Sequence, residues 1–516
     1  MKTIVELYGE AAAGNVQIHG GLAAATAAGI FEQSGRLAAG LSDLGLGHGD
    51  RIAAWLPNLA EYLCLHAACA RLGVILVAIN TRFGAAEIAD ITDRSGAKAL
   101  TVAGGGNVLA EIDPRTLPEL THLITIGETA DLPAWDRVAV TPYGQLVGAA
   151  TSDIRRGGGN DLVNIFTTSG TTSAPKFAAH RQDAIVGHAE DVARFLDMTA
   201  PDSCCLQLLP FCGVFGFVQI MAALAAPADL IMPVSFDANQ AMTLGRRHGA
   251  THMFITDDML RRMLDASADE TPLPTLRSCM YAGFNTWLHT LPAEAEARGI
   301  PVQGAFGMSE VFAIFAGRPM AAAAAARHRP GGTMVSDASQ VRARDPESGA
   351  LMGHGEAGEL EIFGPHMFAE YYGNSEATTA AFTDDGYLKT GDLGYTEPDH
   401  AFVYLQRMND TLRLGGFLVA PSEIEAAVMD HPAVRDAQVV AAGTDAGNRP
   451  VAFVIPASET GVNEDVVIRH CRDQLPKFKA PVRVVSLDAF PVTRGPNGTK
   501  IQRTKLREMA EDLLRG

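Results

Sequence analysis

The sequence predicts an α/β fold: a large N-terminal domain of helix-covered, mostly parallel sheets and a small α+β C-terminal domain. Three observations predict it. Helical and strand-like apolar patterns alternate between residues 28 and 100 and again further along. From residue 357 the style changes, because Gly358-Glu359-Leu360-Glu361-Ile362 alternates like a strand with one face in water. The charge balance then shifts near Arg407–Asn409. From Met408 onward there are 14 basic and 14 acidic residues, whereas the first 407 residues hold 27 basic against 45 acidic and so carry the whole net charge of −18. The division follows as residues 1–406 and 407–516.

The elements can be justified in order. Phe31 to Leu44 carries apolar residues at helical spacing, and Gly45, Gly47 and Gly49 stop it. Arg51 to Leu56 reads as a buried strand, Glu61 to Leu72 as a helix and Val74 to Ala78 as a second strand. This βαβα rhythm implies parallel strands joined by covering helices. It recurs with strands at 162–166, 204–209, 228–233 and 251–255. Leu206 to Ala228 is uncharged and long enough to span a bilayer, but Pro210, Gly213 and Gly216 interrupt it, so a buried strand–turn–helix is expected. The alanine run 321–326 reads as a small-residue helix or loop. Aspartate- and glycine-rich turns are expected at 384–386 and 391–394, and a Gly415-Gly416 turn after the boundary.

Bulk properties bound the function. A chain of 516 residues that is 47% hydrophobic can bury more than one core, and 52 glycines with 27 prolines suit a loop-rich enzyme. The seven cysteines form no Cys-x-x-Cys, which points away from a zinc site or disulfide framework and toward a reducing cytoplasm. Met1 to Asn15 has no basic start followed by an apolar core, so no signal peptide is expected. The acidic balance argues against nucleic acid as a partner. Residues 469–507 nonetheless hold ten basic and two acidic residues, either a patch that attracts an anionic cosubstrate or a solvated face.

Five clusters carry chemistry. Ile165 to Lys176 reads Ile-Phe-Thr-Thr-Ser-Gly-Thr-Thr-Ser-Ala-Pro-Lys, with five hydroxyl residues between Thr167 and Thr172, Gly170 among them and Lys176 at the end. Such a loop offers N–H groups, hydroxyls and a cation to a polyphosphate, without the Gly-Lys-Ser/Thr ending of a Walker loop. Gly304-Ala305-Phe306-Gly307-Met308-Ser309-Glu310 makes a tight loop with a ring to lay against a base and a hard oxygen ligand for Mg²⁺. Gly386 to Gly394 sets Asp392 between glycines, where a carboxylate suits a ribose diol. Arg407 to Glu425 and Gly498-Thr499-Lys500-Ile501-Gln502-Arg503 complete the set.

In this order and spacing the clusters resemble the adenylate-forming superfamily of acyl-CoA synthetases, carrier-loading adenylation domains and firefly-type luciferases, from about residue 28 to 510. The resemblance implies an ATP-dependent acyl-CoA ligase with Mg²⁺, ATP and CoA. It implies that Thr168, Ser169, Gly170, Thr171, Thr172 and Lys176 hold the β- and γ-phosphates. Phe306, flanked by Ala305 and Gly307, would pack on adenine opposite Gly283 and Phe284. Glu310 would bind Mg²⁺, Ser309 a phosphate, and Asp392 and Arg407 the ribose hydroxyls. Lys500 would bridge the substrate carboxylate and the α-phosphate. It also implies a mobile C-terminal domain that rotates about a hinge at Asn409, carrying Lys500 out and Gly415 and Gly416 in toward the thiol.

The chain departs from that family's pattern in places. Asn409 stands where the hinge is normally Asp or Lys. Gly213 stands where a histidine or aromatic often gates the acyl pocket, which would open room for a bulky acid unless Phe215 or Phe217 fills the gap. Phe284 narrows one wall, Ser173 and Phe177 replace more usual glycines, and Ser309 replaces threonine. Gly213, Val214, Phe217, Phe284, Gly307 and Val311 would line the acyl pocket. Phe211 to Met221 holds no Asp for an ammonium group, so a hydrophobic, bulky carboxylic acid is expected. An enzyme that hands acyl-AMP to a carrier protein or a second ligase is the alternative, and a non-catalytic nucleotide-binding protein a remote one. Monomer and homodimer both remain open.

Overall fold

The computed structural model describes residues 2–515 apart from 22–24, 128–131, 134, 149–152, 169–174, 284–287, 289, 409–411, 415–416, 420, 445–446, 459–460 and 496–497; it describes the backbone but not the side chains of 413, 417–418, 444, 447, 493–495, 498–500 and 515. Two large sheets and a set of helices between them organise the bulk of the chain. The first sheet has a parallel block built from Gln17–His19, Asp229–Ile231, Cys204–Leu206, His252–Thr256, Ser278–Ala282 and Val302–Phe306. The second has a parallel block of Leu162–Thr167, Ile75–Ala78, Arg51–Trp55, Ala99–Val102, His122–Thr125 and Ala139–Pro142.

Strand alternation explains why helices cover both faces. Successive side chains point to opposite sides of a sheet. Cys205 and Phe254 join the central core, while Cys204, Leu206, Met253 and Ile255 join the core beneath Ala238–Arg247, Asp257–Asp265 and Leu291–Ala297. In the second sheet Leu76 and Ala78 face the central core, and Ile75 and Val77 face the helix Ala85–Ser95. The central layer contains Ile4–Ala13, Ala27–Asp43, Ala60–Leu72, Gln182–Phe195 and Val214–Ala225. The last of these is buried on every side from Val214 to Leu224, as a helix apolar all round must be. The uncharged run 206–228 is therefore strand, turn and buried helix, and no helix among the described residues is long and apolar enough to cross a membrane.

The change of style at 357 is real. Gln340–Arg344, Gly358–Phe363, Leu388–Glu397 and Ala401–Arg407 form an antiparallel extension of the first sheet around a core of Phe306, Phe315, Leu360, Ile362, Leu388 and Phe402. One expectation is corrected here. Residues 391–394 are not a turn but lie within Leu388–Glu397, whose pairing with Gly358–Phe363 is irregular between Lys389 and Leu393, opposite Glu361 and Glu359. Gly391 has φ +68°, which lets the strand bulge without the steric cost a side chain would meet. The alanine run ends in a short helix, Ala324–Arg327.

The C-terminal part has its own core. Val434–Thr444, Gly447–Pro456 and Arg483–Ser486 form a three-stranded sheet. Ala437, Val439, Ala452 and Val454 face Pro421–Met429 and Glu464–Gln474, while Val440, Ala442, Val451 and Phe453 face Arg503–Arg515. None of these side chains belongs to the four clusters built from residues 4–402. All seven cysteines are free and buried.

Candidate active site

The strands deliver the predicted motifs to one region. Leu162–Thr167 and Phe177–Arg181 pair antiparallel, and the Thr168 N–H donates to the Lys176 carbonyl at 2.8 Å, so Thr168 and Lys176 close the base of the intervening loop. Ser169, Gly170, Thr171 and Thr172 lie outside the described residues. Gly283 follows the C-terminal end of Ser278–Ala282, and Phe306 ends the neighbouring parallel strand, in the crevice where open α/β sheets hold ligands.

A tyrosine that the sequence did not single out joins two of the motifs. The short strand Glu370–Tyr371 pairs with Phe177–Arg181, which sets Tyr371 beside Lys176. Lys176 Nζ sits over the Tyr371 ring at 4.6 Å. The Tyr371 hydroxyl donates to Glu310 Oε1 at 2.5 Å. Burial and the Glu310 charge raise the phenol above its ordinary value, so it stays a donor. Nothing in the spacing around Tyr371 marks it; only the pairing across some 190 residues of chain brings it there.

Glu310 belongs to a single 3₁₀ turn, Ser309–Val311, and is 7% exposed. Its carbonyl accepts from the Phe368 N–H at 2.7 Å. The turn ends in two residues with left-handed backbone, Phe312 at φ +53° and Ala313 at φ +77°. Such angles cost on the order of 1–3 kcal/mol each for residues other than glycine, and they collect at functional sites. Gly307 makes the fold-back possible: a Cβ there would lie 1.2 Å from the Ala313 carbonyl oxygen. Gly307→Ala is therefore expected to lower stability by about 3–5 kcal/mol. An unchanged urea midpoint would remove the argument.

Asp392 is 2% exposed and lies directly across the strand pair from Arg407. Its Oδ1 is 3.1 Å from Arg407 Nε but off the line of that N–H, so this oxygen accepts no hydrogen bond. The Asp392 N–H donates to Thr390 Oγ1 at 3.0 Å, and Arg407 Nη1 donates to the Thr390 carbonyl at 3.1 Å. Burial, with the charges of Glu310 and Glu359 against the opposing pull of Arg407, pushes the Asp392 carboxyl up to about 7. Lys176, Glu310, Asp392 and Arg407 therefore share one region.

The remaining predicted residues are placed as follows. Phe306 is 6% exposed, edge-on to Phe402 at 5.0 Å and tilted against Tyr404 at 5.7 Å. Ala305 pairs with Gly317 beside it, and the Ser309 carbonyl accepts from His180. Gly213 caps the helix Val214–Ala225, and Val214 and Val311 are buried. Phe217, expected on the pocket wall, is wholly enclosed by Tyr62, His66, Phe166, Phe211 and Phe312, which places it behind the wall. Phe284, Asn409, Gly415 and Gly416 lie outside the described residues, as does the Lys500 side chain.

The AMP-binding enzyme family matches residues 12–372, and the AMP-binding enzyme C-terminal domain matches 423–495. The chain belongs to the AMP-binding enzyme family. This AMP-binding enzyme is 31% identical to a methyl-dioxo-octahydro-indenyl propanoyl:CoA ligase of Mycobacterium tuberculosis, over 92% of this chain and 91% of that one. It is 28% identical to 4-coumarate–CoA ligase 5 of Oryza sativa subsp. japonica, over 92% and 87%. Its fold matches ATP-bound MatB from Rhodopseudomonas palustris with a TM-score of 0.83 at 24% identity, covering 99% of each chain.

Proposed function

We propose that this AMP-binding enzyme is an ATP-dependent acyl-CoA ligase that activates a hydrophobic, bulky carboxylic acid as acyl-AMP and then forms the CoA thioester. The observation that carries the proposal is the meeting of Lys176, Glu310 and Asp392, drawn from three separate motifs, in one region, with Tyr371 linking the first two. The naming of its relatives as CoA ligases supports it. An apolar wall containing Val214 and Val311, with no charge between Phe211 and Met221, supports an apolar acid.

Each residue then has a task. Thr168 to Thr172 and Lys176 hold the β- and γ-phosphates, and Ser309 contacts a phosphate. Phe306, with Ala305, Gly307, Gly283 and Phe284, holds the adenine. Asp392 accepts from the ribose hydroxyls, using the oxygen left without a donor, and Arg407 keeps that carboxylate oriented. Among the described residues no group of three or more His, Cys, Asp or Glu side chains is arranged to hold a metal, so Mg²⁺ would be held by Glu310 together with phosphate oxygens, the usual mixed shell for this ion. There it would offset the charge that gathers on the phosphates. An acid attacking ATP brings two anions together, so Lys500 and Lys176 neutralise and position them rather than act as nucleophiles.

The domains divide at 406/407, a reading supported by the separate C-terminal cores. The small domain turns about Asn409 between the two steps, bringing Gly415 and Gly416 toward the thiol, and the basic stretch 469–507 steers the CoA phosphates. Seven free, buried cysteines fit a reducing cytoplasm.

Pyrophosphate release screened over aliphatic, aromatic and polycyclic acids tests the reading. With CoA present the expected product is the thioester; accumulation of acyl-AMP alone would favour transfer to a carrier protein or second ligase, and no pyrophosphate with any acid would overturn ligation. Lys500→Ala is expected to slow pyrophosphate release about 10²-fold, the scale of one lost transition-state donor. Unchanged pyrophosphate exchange would remove Lys500 from the adenylation step.

A further inference from the structure

We propose that His180 and His188 are positioning residues for this site: His180 holds the start of the Ser309–Val311 turn by its Ser309 carbonyl, His188 packs edge-on against Phe312 just beyond the turn, and together they hold Glu310 in place. The inference rests on the reading of Glu310 as the metal-side ligand of ATP.

His180 lies in Phe177–Arg181 and His188 in the helix that follows, Gln182–Phe195. Both are buried. His180 Nε2 is 2.9 Å from the Ser309 carbonyl oxygen, and since a carbonyl has no proton to give, the imidazole donates. The two rings also flank the Phe312 ring, at 5.3 Å for His180 and 5.8 Å for His188, the latter at 88°.

Glu310 sits between these two anchor points, and Phe312 and Ala313 hold left-handed backbone angles just beyond it. Backbone of that kind persists where its surroundings over-determine it. The histidine pair supplies such surroundings. Burial keeps both imidazoles neutral, lowering them to about 4 and about 3, and the Ser309 carbonyl fixes the His180 proton on Nε2. His188 also lines a cavity of about 10 Å³ with Val311, Ser336, Ser339 and His366, enough for one water. His366 is itself held by Asp191 at 3.0 Å. The established motifs do not use either histidine, and neither needs to touch ATP or the acid to act.

The test compares wild type with His188→Leu, His180→Gln and His180→Leu. ATP affinity is measured by calorimetry with and without Mg²⁺, alongside pyrophosphate release and thermal midpoints. For folded His188→Leu and His180→Leu, metal-free ATP affinity should stay within about twofold. The gain in affinity that Mg²⁺ gives should fall about tenfold, and kcat should fall about tenfold with the KM for the acid unchanged, the usual range for a residue that orients a metal ligand. His180→Gln keeps an N–H and should recover most of both losses. A folded His180→Leu or His188→Leu that binds ATP with Mg²⁺ as wild type does overturns the proposal. A wild type that binds ATP with Mg²⁺ yet releases no pyrophosphate with any acid sinks the ligase reading instead, and the binding comparison still decides the clamp.

Discussion

Glu310→Ala lowers the rate of pyrophosphate release by about 10²- to 10³-fold while leaving the fold intact. The size follows from what the carboxylate faces. Glu310 is the carboxylate that Tyr371 orients, and that tyrosine also carries Lys176 against its ring. Removing it takes away the protein's share of the metal shell just where charge on the leaving pyrophosphate must be offset. Stability should change little by comparison, because the Tyr371 hydroxyl loses one acceptor, on the order of 1–3 kcal/mol if it is left unpaired. Initial rates over a range of Mg²⁺ concentrations check this. A variant with wild-type rates and an unchanged metal optimum would remove Glu310 from the catalytic set.

Asp392→Ala weakens AMP and ATP binding by about 10²- to 10⁴-fold, the loss of two hydrogen bonds to a charged acceptor at about 1.5–3 kcal/mol each. The same residue gives nucleotide binding a pH dependence. Its carboxyl is pushed up to about 7, chiefly by burial. In the folded protein it therefore keeps a proton that the unfolded chain, near the ordinary value of about 4, has already lost. Its contribution to stability is complete below about pH 4 and disappears as pH rises through about 7. Ribose hydroxyls donate to the ionised form, so binding releases that proton and affinity rises as pH climbs through about 7. Calorimetric AMP titrations at pH 6 and 8, in buffers of differing ionisation heat, measure the released proton. Asp392→Asn should lack it, and the comparison cancels the titration of the AMP phosphate itself. Equal affinities at the two pH values would show that Asp392 does not meet the ribose as an anion.

Much of this was legible in residue order. The alternation around Ile52, Leu76 and Phe254 announces buried strands, since period-2 burial on two faces needs helices on both. The hydroxyl-rich loop before Lys176 and the Gly304–Glu310 cluster announce phosphate and metal chemistry by residue type. Tyr371, His180 and His188 were not legible, because their significance lies in partners far away in sequence. The turn expected at 391–394 was misread for a related reason: glycine permits both a turn and a bulge, and strand pairing with Gly358–Phe363 chose the bulge.

Sequence by itself determined that this chain is an α/β protein and pointed to a phosphate loop, a hard oxygen ligand and a carboxylate suited to a ribose, because local periodicity and side-chain chemistry are properties of short stretches. Tertiary structure alone decided that Lys176 and Glu310 meet at Tyr371, that burial beside Glu310 pushes the Asp392 carboxyl up to about 7 and that His180 bonds the carbonyl that precedes Glu310. Those facts depend on strand register and on the exclusion of water, which arise only when distant segments pack together.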